Sequence, residues 1–253
     1  MGLDIFMHSI RQVFGNLSGA LRVSLVLYLI QLAATYVLFG VGRVNDLVAL
    51  QRAADSGALS IPSILLGLFI SVATGLWIAV AWHRYVLRVE EPGEIVPSFR
   101  FDRMLEYLGY SVLIVIILVV ISLAISLVFS PLARFVLGLG AFGQTIIGIL
   151  IYVPVAVVGY RLSVVLPGAA LGENIGISDA WERTAGSMVS LVLLSIFSAV
   201  SLVVITLSTK YATELGSIPS AIWSAITQWI VLMVGISILT TLYGVYVEDR
   251  KLS

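Results

Sequence analysis

Few side chains in this sequence combine a reactive type with a useful spacing. His83 and Arg84 are adjacent and follow Trp82 at the end of a long apolar run. A guanidinium presents a planar fork of N–H donors that matches phosphate or carboxylate oxygens, so this trio can bind a lipid headgroup or a substrate anion. The same trio serves equally as an interfacial anchor, with the indole in the headgroup belt and the basic groups fixing orientation. Arg161 poses a different problem, because SVVLPGAALG follows it almost at once. A cation placed in hydrocarbon needs a partner or an aqueous pocket. Glu173, Asp179 and Glu182 are the nearest acids in sequence, and snorkelling to the interface is the alternative. Trp181 and Arg183, in the segment SDAWERT, complete a candidate contact set of Trp82, His83, Arg84, Arg161, Trp181 and Arg183.

A second set lies inside the apolar runs or at their ends: Gln31, Gln144, Pro154 and Gln228. Amide side chains in a membrane ordinarily bond helix to helix, and lining a solute path is the other use. A proline inside a membrane helix kinks it and frees a carbonyl, which serves packing or a substrate path.

Several chemistries are excluded or disfavoured. There is no cysteine, so disulfides, thiol catalysis and Cys-based metal sites are absent. None of the 14 acidic residues falls centrally in an apolar run, which argues against proton- or cation-coupled transport. Glycine-rich phosphate loops, HExxH and GxSxG do not occur, and His8 and His83 have no nucleophile and carboxylate at motif spacing. The expectation is a protein that is not an enzyme and uses no cofactor or metal.

These residues are positioned by helices in lipid. Of 253 residues, 60% are apolar and 11% charged, and the mean hydropathy is +1.09. A soluble domain of that length needs far more polar surface. A net charge of zero leaves no basic footprint for nucleic acid. Crossing a bilayer core of about 30 Å takes roughly 20 apolar residues in a helix. Six stretches qualify: Leu21 to Val41, Ile61 to Trp82, Leu108 to Phe129, Gln144 to Leu166, Val189 to Leu207 and Ala221 to Val247. The predicted fold class is therefore all-α, a polytopic membrane helix bundle forming one domain over residues 1–253.

Charge placement sets the expected orientation. Arg11, Arg22, Arg84, Arg88, Arg100, Arg103, Arg161, Arg183, Arg250 and Lys251 fall on the side of the termini, and Arg43, Arg52, Arg134 and Lys210 on the other. That bias puts both termini in the cytoplasm. Ser98, Phe101, Asp102 and Arg103 correspond at a constant offset to Ser178, Trp181, Glu182 and Arg183, and FGNLSG at 14 aligns with WERTAG at 181. The pattern predicts three tandem units, approximately 1–91, 92–172 and 173–253, each a short interfacial helix followed by a helical hairpin. The interfacial helices are expected to lie apolar face down. The first would use Phe6, Ile10, Val13, Phe14 and Leu17, the second Phe101, Met104, Leu105 and Leu108, the third Ile177, Trp181, Ala185 and Met188. A surface helix is expected around Asp46 to Ala54, and PLARFVLGLGAFG at 131 is expected to rest at the outer interface.

With AWHRYVLRVEEP and YRLSVVLPGAALGENIGISDAWERTAGSMVSLVLL, the chain resembles a group of uncharacterised bacterial six-helix inner-membrane proteins. More distantly, it is similar to the membrane domain that precedes the catalytic barrel in some glycerophosphoryl diester phosphodiesterases. The resemblance implies a helical domain of the bacterial inner membrane. Phosphodiesterase activity is not expected to carry over, since no barrel and no metal-binding Glu and Asp set accompany the match. The functional expectation is binding or scaffolding at the cytoplasmic membrane face, with the bilayer, an anionic lipid or another membrane protein as partner. The alternative is a small-solute transporter or channel with a path between hairpins, past Gln31, Gln144, Pro154 and Gln228.

Overall fold

The computed structural model describes residues 1–40, 60–93, 95–138 and 140–252. They form α1 (Gly2–Phe14), α2 (Leu17–Phe39), α3 (Ile61–Arg88), α4 (Phe101–Leu137), α5 (Ala141–Leu162), α6 (Val165–Leu171), α7 (Ile177–Arg183), α8 (Met188–Glu214) and α9 (Ser217–Tyr246). Six apolar runs are long enough to cross a bilayer: Leu17–Phe39, Ile61–Arg88, Phe101–Ala133, Ile146–Leu171, Met188–Glu214 and Ser217–Tyr246. Each overlaps one of the six expected spans, and the fold is a multi-pass helical membrane bundle. Val37, Leu127, Val128 and Val203 are among many large apolar side chains turned outward along these helices. In water each would forfeit about 25 cal/mol for every Å² left exposed; facing acyl chains it forfeits nothing.

Local chemistry sets the helix ends. The Asn16 side chain accepts the Gly19 N–H at the start of α2, and Ser60 accepts the Ser63 N–H with Pro62 in the first turn of α3. α6 stops at Gly172, whose φ of +83° suits a residue without Cβ, and the Glu173 N–H closes back on the Gly168 carbonyl.

Consecutive spans pack as hairpins, α2 with α3, α4 with α5 and α8 with α9, and α9 also contacts α3. Met1 and Leu252 line one cavity, so the two ends of the chain lie on the same face. That face, which also carries most of the arginines, is called the basic face below. The packing is uneven through the membrane. Ile78, Trp82, Leu191, Leu194, Leu242 and Tyr243 are fully enclosed on the basic side of the bundle. Toward the opposite face the described helices bury much less.

The three segments ahead of the odd spans do not share one form. α1 is a separate helix, but its enclosed face is Gly2, Ile5, Ser9 and Val13, wedged between α8 and α9. Of the expected apolar face, Phe14 is exposed at the end of that helix, and Leu17, also exposed, belongs to α2. Two small residues explain the choice. A Cβ on Gly2 would run into the Ser190 carbonyl, so glycine lets the backbones meet. The Ser9 hydroxyl donates to the Ile5 carbonyl at 2.8 Å and lies 3.0 Å from the Thr241 hydroxyl of α9. The second segment is no separate helix at all: Phe101 begins α4, which runs unbroken past Pro131 to Leu137. At about 1.5 Å per residue, 37 residues exceed the hydrocarbon thickness and project beyond it. The third segment, α7, is again a separate short helix. The stretch from Pro131 completes α4 at Leu137, and α5 begins at Ala141. The helix expected around Asp46 to Ala54 lies outside the described residues.

Candidate functional site

Trp82 and His83, expected at the headgroup level, are fully enclosed instead. Both occupy the last turns of α3 where it meets α9 and α4, so helical phase points them inward. The Thr240 hydroxyl donates its one proton to the Ile236 carbonyl at 2.9 Å. It can therefore only accept from His83 Nδ1, 2.9 Å away, leaving Nε2 to accept from the Tyr107 hydroxyl at 3.3 Å. The pair of bonds describes a neutral imidazole with its proton on Nδ1, held in a helix junction. Trp82 Nε1 finds no partner among the described residues.

The arginines of the basic face are largely occupied by the protein itself. Arg84 holds Glu90 through Nε at 2.7 Å and Nη2 at 2.6 Å, and its Nη1 donates to the Ala170 carbonyl at 3.1 Å. Arg100 reaches the other Glu90 oxygen at 2.9 Å. Burial pushes the Glu90 carboxyl up, but the hydrogen bonds and charges of Arg84 and Arg100 outweigh it and hold it below the ordinary carboxylate range. Arg88 and the Tyr243 hydroxyl share Glu173, and Arg250 donates to the Leu87 carbonyl at 3.0 Å. Arg161 is 8% exposed and lies with its guanidinium 3.5 Å from the Trp181 ring centre. Its Nη2 donates to the Trp181 carbonyl at 2.6 Å and its Nε to the Thr184 hydroxyl at 3.0 Å. None of Glu173, Asp179 and Glu182 appears among its partners, so an aromatic face and a peptide oxygen take the place of a counter-ion. Trp181 is thus the platform for Arg161, and Arg183, exposed on α7, has no partner among the described residues.

The other face is different. A cavity of about 890 Å³ opens between the outer halves of α2 and α8, with α9 as its back wall. The Tyr28 hydroxyl donates to the Ala225 carbonyl at 2.6 Å and the Tyr36 hydroxyl to the Ala221 carbonyl at 3.1 Å, tying α2 to α9. Those two struts leave α2 and α8 apart. Lys210 and Glu214, one turn apart on α8, stand at the mouth, and neither has a partner among the described residues. Thr206, Thr209, Thr213 and Thr227 line the walls. Ser224 is 2% exposed, lines the cavity and has a hydroxyl with no hydrogen-bond partner among the described residues. A buried unpartnered hydroxyl is a group a bound ligand or water can satisfy. The cavity descends to Tyr28, Ile205 and Val231, near the middles of their helices and hence of the bilayer.

Of the four intramembrane residues expected along a path, Gln31 and Gln228 line this cavity, Gln31 also accepting from Thr74 at 3.2 Å. Gln144 is exposed in the first turn of α5 and Pro154 is exposed further along it, and neither borders the cavity. The residues that sequence reasoning missed are on α8. Thr206, Thr209, Lys210 and Thr213 recur at helical spacing and mark one polar stripe on the last turns of an otherwise apolar span. That stripe was legible, but Lys210 read alone as a loop charge.

Fold and cavity together define a polytopic helical membrane protein with a polar opening on the face away from its termini. Compared with family models, curated proteins and solved structures, the chain matches none.

Proposed function

We propose that this protein is a non-enzymatic membrane component of the transporter class, receiving its cargo in the cavity between α2, α8 and α9. This is the alternative expectation from the sequence, and it replaces binding at a basic collar. One observation carries it: the polar cavity reaches the bilayer middle, while Arg84, Arg88, Arg100 and Arg161 are engaged by groups of the protein. A volume of about 890 Å³ falls within the usual range for ligand pockets of about 300–1,000 Å³. Irregular polar linings at membrane depth are tolerated where they border such a cavity. The excess of basic residues on the terminal side supports a cytoplasmic placement of both ends, so that the cavity opens outward. The resemblance named above supports a bacterial inner membrane as its location.

Because the chain contains no cysteine, single introduced thiols test this directly. Gln228→Cys and Thr209→Cys should be modified by a membrane-impermeant methanethiosulfonate added from the outer face, while Val204→Cys, on the lipid-facing side of α8, should not. If Glu214→Cys at the mouth reacts and the two deeper positions stay as inert as Val204→Cys, the cavity is closed to water and the proposal fails.

A further inference from the structure

The cavity does not end at mid-membrane. A second, apolar cavity of about 290 Å³ lies on the basic side of the same helices, enclosed by α1, α5, α8 and α9. Ile205 and Val231 line both, so the two chambers meet at those side chains. The character of the lining changes across that junction. On the outer side it is threonine, serine and glutamine with one cation and one anion; on the inner side it is Phe6, Ile10, Phe14, Leu202 and Val234, with few polar groups. The side of this crevice is not sealed by protein, since Val231, Leu202 and Phe14 are 38%, 40% and 46% exposed.

We infer that the cargo is a zwitterionic phospholipid, its phosphate at Lys210, its ammonium at Glu214, and an acyl chain passing Ile205 and Val231 into the apolar chamber. The inference rests on the transport reading above and names the ligand of that same cavity.

Three features select this chemistry. Lys210 and Glu214 sit at i and i+4 on one helix face, about 6 Å apart at their bases, and neither has another partner among the described residues. A head with both charges satisfies both, whereas a purely anionic head would leave Glu214 facing like charge. The depth also matches. From Glu214 to Ile205 is nine residues, about 13–14 Å along the helix, close to the hydrocarbon of one leaflet at about 15 Å. A lipid can therefore enter sideways from the outer leaflet with its head near its resting level. Finally, the buried Ser224 hydroxyl and the threonines supply donors for phosphate and ester oxygens that hydrocarbon alone would not need.

The test uses the full chain, delipidated in detergent, with synthetic phosphatidylethanolamine and phosphatidylglycerol offered at equal concentration and retained lipid read by native mass spectrometry. The expected result is one phosphatidylethanolamine per chain, preferred over phosphatidylglycerol. Lys210→Gln should lower its retention about tenfold, the effect of losing one charge-assisted hydrogen bond. Glu214→Gln should erase the preference between the two lipids, and Ile205→Trp should reduce retention by filling the junction. Equal retention of both lipids by the unaltered protein overturns the inference without recourse to any variant, because it describes an ordinary lipid annulus. If the deep thiols described above react with the aqueous reagent but no lipid is selected, the cavity stands and only the ligand class falls.

Discussion

Replacing Arg161 by leucine removes the one cation that is nearly enclosed among the described residues, and the structure gives the size of the effect. Two hydrogen bonds from a charged donor are lost, to the Trp181 carbonyl at 2.6 Å and the Thr184 hydroxyl at 3.0 Å, each worth about 1.5–3 kcal/mol. The stack on Trp181 at 3.5 Å adds about 2 kcal/mol where water is excluded. Against this, the variant no longer has to strip water from a guanidinium, a cost of several kcal/mol. The Trp181 carbonyl keeps only the Thr184 hydroxyl, 3.2 Å away, whose single proton is shared with the nearer Ala180 carbonyl at 2.8 Å, so one peptide oxygen is left poorly satisfied. The net expectation is a loss of about 3 kcal/mol, at the lower end for a broken buried charge contact. That corresponds to a melting midpoint lower by about 6–12 °C in a chain of this size. Arg161→Lys keeps the charge but not the planar stack or the fork, and should lose about half as much. Thermal unfolding in detergent measures the total, and amide hydrogen exchange across α7 locates it, since α7 is held to the end of α5 by this side chain. An Arg161→Leu protein that melts with the wild type and shows unchanged exchange in residues 177–187 would refute the reasoning. It would mean that desolvation cancels the contacts and that the arginine is kept for something other than stability.

Two further outcomes follow from the basic face. Glu90 titrates below its ordinary value of 4.5 when folded, so the unfolded chain binds more protons there; the stability this group confers is complete above pH 4.5 and is lost as pH falls through the folded value. Glu90→Gln should flatten that acid decline in a series of melts, and an unaltered decline would show that the Arg84 and Arg100 pairs are not its source. Burial raises Glu248 above 4.5, with Arg250 opposing, which gives the opposite sign: its contribution is present below 4.5 and lost as pH rises. For orientation, Ser56→Cys, between the first and second spans in sequence, should react with an impermeant thiol reagent in intact cells and Ser98→Cys should not. The reverse pattern would place the cavity mouth inside the cell.

The polarity of the two faces has a common physical origin. On the basic side, arginines and carboxylates from distant parts of the chain neutralise one another across short gaps, as Arg84 does with Glu90 and Arg88 with Glu173. Such pairing consumes the charges that a headgroup or partner would otherwise use. It also closes the bundle there, together with α6, whose residues Val165 to Ala170 are all buried. On the far side no comparable set of described pairs draws α2 and α8 together, and the two tyrosine struts tie α2 to α9 instead. A cavity at one end is what remains when a six-helix bundle is fastened mainly at the other.

The membrane character and the six spans were determined by sequence alone, and the polar stripe on α8 was written there though not read. Each depends on a quantity that is local along the chain: apolar run length against bilayer thickness, and helical spacing of hydroxyls and charges. The inward turn of Trp82 and His83, the capture of Arg161 by Trp181 and the wedge of α1 between α8 and α9 were decided by the tertiary structure. In lipid an apolar helix face gains nothing by choosing protein over acyl chains, so hydropathy cannot say which face packs. Close approach at Gly2 and Ser9, hydrogen bonds such as that between His83 and Thr240, and the match of one guanidinium to one indole make that choice, and all of them join residues far apart in sequence.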